Sequence, residues 1–338
     1  MKQVGVHNKQ NPVEGESGRT RPADAVVRSW FVSLSNWNRW GPNDRLGTLN
    51  LISDDKRRAA TSLVTIGRAV SCAWDVQMNN REEVSGELVG PQRWMAGTGL
   101  DTDAVPLTGP RTRDGSFSVA SETISMSFHG WRMTHLDALS HVFWDGQMYG
   151  GVPAHNVTDR DGAIVHDVLS VADGIHGRGV LLDVAGARGV DALDPAEPIF
   201  PEHLDLAEEK AGVRVEEGDI LFIRTGDAVR RKQGNWNPIA NGQPGLDATC
   251  LPWLYERGVA VLGSDGPQEV RPSGYDSVYM PVHSIGIVAM GLWLIDNCDL
   301  EALAATCNEY GRWNYFVTVS ALRLEGATGS PVNPIAIF

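Results

Sequence analysis

Short apolar runs alternate with capped amphipathic segments along the second half of the chain. The runs "GVLLDV" from Gly179 and "GDILFIRTG" from Gly218 are bounded by Gly and Asp, which is typical of strands buried on both faces. The run "VAVLGSD" from Val259 and the alternating segment "YFVTVSALRL" from Tyr315 are further predicted strands. The spacing of these runs leaves room for a helix between consecutive strands.

Three segments carry the start and stop signals of helices. "SDDKRRAATSLVTIGRAV" begins at Ser53, a capping residue followed by two acidic residues, and Gly67 is a suitable end. "DATCLPWLYERG" runs from Asp247 to Gly258, and "DLEALAATC" from Asp299 repeats the signal. Strands alternating with helices predict an α/β fold with a mixed sheet flanked by helices.

Two stretches lack such periodicity. Residues 1–29 are polar and rich in Gly, Pro and charge, so we expect an N-terminal arm, followed by a single domain over residues 30–338. From Asn79 to Ser116 turn-forming residues dominate, and we expect long loops there. Because long ordered loops often form functional rims, substrate selectivity is expected to lie in this stretch.

Composition and charge narrow the class of protein. A chain of 338 residues with 42% hydrophobic and 21% charged residues can bury a large core. The net charge of −13 and the lack of a basic cluster predict no nucleic-acid partner. The longest apolar stretch, Pro281–Ile295, is too short to span a bilayer, and no apolar leader is present. We therefore expect a cytoplasmic protein with reduced cysteines and no membrane partner.

The segment "SFHGWRMTHLDALSHVFWDG" from Ser127 contains three of the nine histidines of the chain. Side chains two residues apart in a strand share one face. That face would carry His129, Trp131, Met133, His135 and Asp137. Imidazole and carboxylate donors converging on one point can hold a divalent ion such as zinc or manganese.

A structural interpretation accounts for the same spacing. His135 and Asp137 could form a hydrogen-bonded buried pair, with His129 and His141 as partly exposed side chains. A His-x-Asp pattern is short and occurs often without a metal. Spacing alone leaves both interpretations open.

The residues around this pattern resemble a known family. "THLDALSH" is similar to the motif HxGTHxDxPxH of the metal-dependent cyclase family, which includes bacterial kynurenine formamidases and isatin hydrolases. The similarity extends to "WGPNDRLGTLNLIS" from Trp40, "FWDGQMYGG" from Phe143 and the C-terminal "TGSPVNPIAIF". The resemblance implies a swivelling β/β/α fold and a homo-oligomer, and the apolar C-terminus also favours assembly.

The resemblance also implies roles for individual residues. The motif places metal ligands at His135 and Asp137 and the acid/base at His141. The later ligands of the family correspond to His283 and Asp296. The expected cofactor is a divalent ion, Zn²⁺ or Mn²⁺.

The chain departs from the family motif at three positions. Trp131 replaces its first His, Met133 its Gly and Leu139 its Pro. The indole N–H only donates and cannot bind a metal, so we expect one ion per chain. His129 would lie roughly 7 Å along a strand from Trp131, and we predict that it contacts substrate.

Further substrate contacts are expected on both sides of this motif. Trp131 and Met133 would form an apolar wall, which favours a small-molecule substrate with an aromatic or apolar group. Asp265 follows a predicted strand, where ligands often bind in α/β sheets, although an Asp before Gly is also typical of a turn.

These features predict a metal-dependent hydrolase that cleaves a non-peptide C–N bond of an amide, formamide or cyclic amide or imide. The ion would lower the pKa of a bound water towards 7, and His141 would transfer protons. Two alternatives remain. The same centre could act as a lactone or ester hydrolase, or the chain could be a non-catalytic metal-dependent binding protein for small molecules.

Overall fold

A computed structural model describes residues 21–78, 90–98, 119–234 and 236–338. Strands are numbered in chain order over these residues. They are β1 (Ala69–Ser71), β2 (Gln92–Gly97), β3 (Ser121–Ser125), β4 (His135–Asp137), β5 (Gln147–Met148), β6 (Val152–Pro153), β7 (Val157–Thr158), β8 (Gly162–Ala163), β9 (Ile175–Asp183), β10 (Pro198–Ile199), β11 (Ile220–Arg224), β12 (Gly245–Leu246), β13 (Val261–Ser264), β14 (Trp293–Asp296), β15 (Asn314–Val319), β16 (Gly329–Pro331) and β17 (Ile335–Ile337).

One mixed sheet organises the fold. Its strand order is β1-β17-β15-β9-β11-β13-β14-β4-β16. The central strands β9, β11, β13 and β14 run parallel, while β15 and β4 are antiparallel to their central neighbours. Every residue of β11, β13 and β14 is buried, which explains why they appear in the sequence as continuous apolar runs.

Helices cover the sheet. They are α1 (Asp24–Ser33), α2 (Asp54–Thr61), α3 (Val184–Ala187), α4 (Pro201–Ala211), α5 (Asp227–Lys232), α6 (Pro238–Asn241), α7 (Cys250–Arg257), α8 (Pro281–Ile285) and α9 (Glu301–Tyr310). Short 3₁₀ turns span Gly47–Leu51, Tyr149–Gly151, Ala154–Asn156 and Val168–Val171, and a π-helical turn, Gly286–Met290, extends α8. No helix within the described residues has both the length and the apolar character needed to cross a bilayer.

The predicted helix from Ser53 is confirmed at its start and wrong at its end. The Ser53 hydroxyl accepts the N–H of Lys56, as the capping signal indicated. The helix stops at Thr61, however, and does not reach Gly67. Residues 64–69 are exposed, and the N–H groups of Ile66 and Gly67 donate to the Phe338 carbonyl at the other end of the chain. A β-branched segment without a buried face gains little from staying helical.

Two segments expected to lack secondary structure contain some. Gln92–Gly97 pairs with Ser121–Ser125 as an antiparallel ribbon, so the loop prediction for this part of residues 79–116 is wrong. Residues 79–89 and 99–118 lie outside the described part of the chain. Within the expected arm, α1 already begins at Asp24, whose carboxylate accepts the N–H of Ser277 at 2.6 Å. The boundary predicted at residue 29 therefore falls inside a helix.

Candidate metal centre

The motif strand is short and lies between two strands from the far end of the sequence. β4 pairs antiparallel with β14 on one side and with β16 on the other. His135 lies directly opposite Asp296 in the register with β14. Because cross-strand partners share a face and side chains alternate along a strand, His135, Asp137 and Asp296 project to the same side.

The residues before β4 bend instead of extending the strand, so the prediction of one continuous face from His129 is wrong. The side-chain amide of Asn297 donates to the carbonyl of Gly130 at 2.6 Å and to that of Met133 at 3.3 Å. Asn297 itself adopts a left-handed conformation, with φ of 55°. These contacts fold the segment back over the end of β14.

The bend returns His129 to the motif. Its Nδ1 lies 3.0 Å from the Asp137 carboxylate, which overturns the expected separation along a strand. Its ring stacks on His141 with centroids 3.9 Å apart, and its Nε2 lies 3.1 Å from the Thr328 hydroxyl. A Cβ at Gly329 would come within 2.8 Å of the His129 ring, so glycine there makes room for the imidazole.

Asp137 is the centre of the cluster. Besides His129, its carboxylate has the Nε2 atoms of His135 and His283 at 3.5 Å and that of His141 at 3.8 Å. Both carboxylate oxygens are buried, and no well-aligned hydrogen bond reaches either of them. Burial alone would raise the pKa of this carboxyl group, but the four imidazoles favour its charged form and hold its pKa well below its usual range.

His283 joins the cluster from α8. Its Nε2 lies 3.2 Å from an Asp296 oxygen, and its Nδ1–H donates to Glu269 at 2.7 Å. Burial opposes its charged form, but Glu269 and Asp296 outweigh that effect and raise the pKa of His283 well above its usual value. The other Asp296 oxygen accepts the side-chain amide of Gln268 at 2.8 Å.

These side chains fit a divalent cation. Asp137, Asp296 and Glu269 are buried carboxylates, and buried charges in proteins are normally paired or bind a metal. Tetrahedral zinc with bonds of about 2.0–2.1 Å places its ligand atoms roughly 3.4 Å apart. The separations of 3.2–3.5 Å that join His283 to Asp296 and Asp137, and His135 to Asp137, are of this size.

Two overlapping donor groups share Asp137. One contains His135, Asp137 and Asp296, and the other His129, Asp137 and His141. His135 is oriented for ligation because its Nδ1–H donates to the Met133 carbonyl at 2.9 Å, so its Nε2 faces Asp137. The geometry thus joins the four residues expected to bind metal and adds His129 beside them.

His141 lies in the turn after β4, where its N–H donates to the Ala138 carbonyl. Its side chain is 28% exposed, whereas that of Asp137 is 1% exposed. Partial removal of the ring from solvent disfavours its charged form more strongly than Asp137 favours it. The pKa of His141 therefore falls to about 4. His141 is therefore a neutral imidazole at physiological pH, placed at the open side of the cluster.

The sequence profile of the Cyclase family matches residues 66–268, more than half of the chain, including the whole His135–His141 motif. This chain belongs to the Cyclase family. The match ends before Glu269, so the contributions of His283 and Asp296 to the site rest on the geometry above. No curated protein sequence matches the chain significantly.

Solved structures share the cyclase fold. A crystal structure described as a novel cyclase has 29% sequence identity and a TM-score of 0.79, covering 90% of this chain and 99% of that one. Isatin hydrolase A from Labrenzia aggregata, bound to benzyl benzoate, has 19% identity and a TM-score of 0.56, covering 80% and 94%. Isatin hydrolase A from Ralstonia solanacearum has 17% identity and a TM-score of 0.57, covering 84% and 97%.

The residues expected to contact substrate lie in different surroundings in this chain. Met133 is buried, and its carbonyl anchors His135 and Asn297. Trp131 is partly exposed, with the Arg271 guanidinium 4.7 Å from its ring centroid. Substrate contact by both residues stays a prediction.

Asp265 lies in the turn after β13. Its carboxylate accepts the N–H and hydroxyl of Thr225 at 2.8–3.1 Å and the N–H of Gly226 at 2.8 Å. These bonds hold the turn that follows β11, in line with the turn-forming alternative. Substrate contact by Asp265 stays a prediction.

Sequence reasoning missed the residues that support the ligands. Glu269 and Gln268 contact His283 and Asp296, and Asn297 shapes the bend before β4. Only Gln268 and Glu269 could have been found from the sequence, because they closely follow the end of the predicted strand that begins at Val259. Asn297 gave no such signal, because its effect depends on a contact with Gly130, 167 residues away in the sequence.

Proposed function

We propose that this protein is a metal-dependent hydrolase that cleaves a non-peptide C–N bond in an amide, formamide or cyclic amide. One observation carries the proposal: four imidazole nitrogens lie 3.0–3.8 Å from the buried Asp137 carboxylate, and no well-aligned hydrogen bond satisfies either of its oxygens. Such a group is costly to bury unless a cation binds it. The fold shared with isatin hydrolases supports the same class of activity.

The residues that would hold the proposed ion are His135, Asp137, His283 and Asp296. When bound, a divalent ion at such a site lowers the pKa of water and polarises a carbonyl oxygen of the substrate. Glu269 fixes the orientation of His283, and the Met133 carbonyl fixes that of His135. These supports keep the ring nitrogens directed at Asp137.

His141 moves the protons in this proposal. Its neutral imidazole accepts the proton that the attacking water loses as the C–O bond forms. The same ring then donates that proton to the departing nitrogen as the C–N bond breaks. The stacked ring of His129, 3.9 Å away, limits rotation of His141 and keeps it at the open side of the cluster.

Elemental analysis and activity after metal exchange test the proposal. We expect one divalent ion per chain, loss of amide and formamide hydrolysis with EDTA, and recovery with Zn²⁺ or Mn²⁺. Asp137→Asn should lose both metal and activity, whereas Asp205→Asn, an exposed carboxylate on α4, should keep both. Unchanged activity in protein without metal would overturn the proposal.

The same assay separates the alternatives. Hydrolysis of lactones with no turnover of amides would identify an ester hydrolase at the same centre. Tight small-molecule binding without turnover would identify a binding protein. Two ions per chain would show that His129, Asp137 and His141 form a second site.

A further inference from the structure

An arginine lies between two aromatic rings beside the candidate metal centre. The Arg271 guanidinium carbon is 4.7 Å from the centroid of the Trp131 ring and 5.7 Å from that of Tyr279. One of its terminal nitrogens donates to the Tyr279 hydroxyl at 3.1 Å. Contacts with two rings restrict a side chain that is otherwise flexible and fix the direction of its N–H groups.

Arg271 and Trp131 are each close in sequence to residues of the candidate metal centre. Arg271 follows two residues after Glu269, which accepts the Nδ1–H of His283. Trp131 lies two residues from His129 and two from Met133, whose carbonyl accepts from His135. Two residues span at most about 7 Å of chain, so the backbones of Arg271 and Trp131 both lie close to residues of the site.

The charge of Arg271 is available for a ligand. Among the residues that the structure describes, no carboxylate lies within ion-pair distance of it, although Arg178, Arg224 and Arg257 all pair with acids. Its main chain is held by two hydrogen bonds with Gln243, so the base of the side chain is fixed as well. A fixed guanidinium with free N–H groups is suited to a carboxylate, which it can bind through two parallel hydrogen bonds.

We propose that Arg271 binds a carboxylate on the substrate, and that this site therefore selects anionic amides over neutral ones. The inference rests on the proposed hydrolase function and specifies its substrate class. Trp131 and Tyr279 hold the guanidinium in place, and Arg271 supplies the counter-charge for the carboxylate. Hydrolysis breaks the amide C–N bond and leaves the recognised carboxylate unchanged.

A pair of formamides that differ only in the carboxylate tests the substrate class. The metal-loaded full chain is assayed with 2-formamidobenzoate, which yields formate and 2-aminobenzoate, and with formanilide, which yields formate and aniline. We expect the wild type to prefer 2-formamidobenzoate in kcat/KM. Arg271→Met should reduce that preference about 10–100-fold, the usual effect of a charge-assisted bidentate contact, mainly through KM.

Binding of benzoate and benzamide provides a readout independent of turnover. Calorimetry on the same protein should show benzoate binding weakened about tenfold or more by Arg271→Met, and less by Arg271→Lys, which keeps the charge without the fork. Benzoate that binds the ion directly would bind Arg271→Met unchanged. Arg39→Met removes an exposed arginine 4.8 Å from the Trp40 ring centroid. This control variant should bind benzoate and benzamide with the same affinity as the wild type.

The two proposals fail in different ways. Equal effects of Arg271→Met on both formamides, or benzoate binding that Arg271→Met and Arg271→Lys leave unaltered, would overturn the role of Arg271. Absence of turnover on either formamide, with benzoate binding still dependent on Arg271, would count against the proposed hydrolysis and leave the carboxylate site standing.

Discussion

The hydrogen bond of the Nδ1 atom determines whether each histidine of the cluster is suited to bind metal or to transfer protons. His135 and His283 each donate Nδ1–H to a fixed acceptor, the Met133 carbonyl and the Glu269 carboxylate. Their Nε2 atoms consequently face Asp137. His141 has no such acceptor within the described contacts and is partly open to solvent. The first two are therefore suited to hold an ion and the third to exchange protons.

Removal of the His141 imidazole should separate these roles. His141→Ala is expected to reduce turnover about 10²–10⁴-fold, the usual contribution of a positioned acid/base group, and to leave the metal content unchanged. His155→Ala, at an exposed histidine in the turn Ala154–Asn156, is the matched control and should change neither quantity. Loss of the metal together with activity would instead make His141 a ligand.

Glu269 offers a test of the support for His283. Glu269→Gln keeps the shape of the side chain and removes its charge, so we expect metal affinity to fall about 10–100-fold. Competition with a chromogenic chelator measures this directly. Glu208→Gln, at a buried carboxylate paired with Arg257 on α7, should leave metal affinity unaltered. Equal affinities in the Glu269 variant and the wild type would contradict the role assigned to Glu269.

Single residues also show what the sequence could and could not predict. His135, Asp137, His283 and Asp296 were expected at one site, and the structure brings them together. The predicted position of His129 was wrong, because the two-residue periodicity of a strand was extended through a bend in the chain. That bend depends on Asn297, which is remote in sequence, so no pattern near His129 contained the information.

At the level of elements, β4 depends on its neighbours for its position. It has three residues and is buried throughout, with β14 and β16 supplying backbone partners on its two sides. The parallel strands were predictable because burial on both faces leaves continuous apolar runs. The ribbon of β2 and β3 could not be predicted in this way, because exposed strands have no continuous apolar run. The two strands are also separated in sequence by residues 98–120.

The turn after β13 should contribute to the pH dependence of stability. Burial, reinforced by Asp227, raises the pKa of Asp265 to about 7 against hydrogen bonds from Thr225 that lower it. In the unfolded chain the value is 3.8. Between about pH 4 and 7 the folded state keeps a proton that the unfolded chain has released, so stability falls as pH rises through this range.

Urea unfolding of Asp265→Asn from pH 4 to 8 measures this effect. We expect the free energy of unfolding of the variant to depend less on pH in that range than that of the wild type. Identical pH profiles would refute the assignment. A raised KM with an unaltered profile would support the substrate contact that the sequence predicted for Asp265.

At the scale of the whole molecule, the ribbon of β2 and β3 exposes apolar side chains on both faces. Trp94 is 55% exposed and pairs with Thr123, while Ile124 is 47% exposed and pairs with Arg93 on the opposite face. An isolated two-stranded ribbon is marginal in water. We expect a homo-oligomer that covers this ribbon, as the resemblance to the Cyclase family implied.

Light scattering at micromolar concentration tests assembly. The wild type should have a molar mass that is a multiple of 36.7 kDa, and the double variant Trp94→Ser, Ile124→Ser should shift towards the monomer. Val32→Ser, at an exposed apolar residue on α1, is the control for a general effect of surface polarity. A monomeric wild type would contradict the expectation.

The pairing of β4 with β14 and β16 has a consequence for protein synthesis. Asp137 lies opposite Gly329, roughly 190 residues further along the chain. At 5–20 residues per second, a ribosome needs about 10–40 s to add them. Until residue 283 is added, which takes up most of that interval, the nascent chain carries His135 and Asp137 without His283 and Asp296, and with both edges of β4 open. Metal acquisition is thus a late event in the life of each polypeptide, and a ribosome stalled before residue 283 leaves a chain that has no complete site to load.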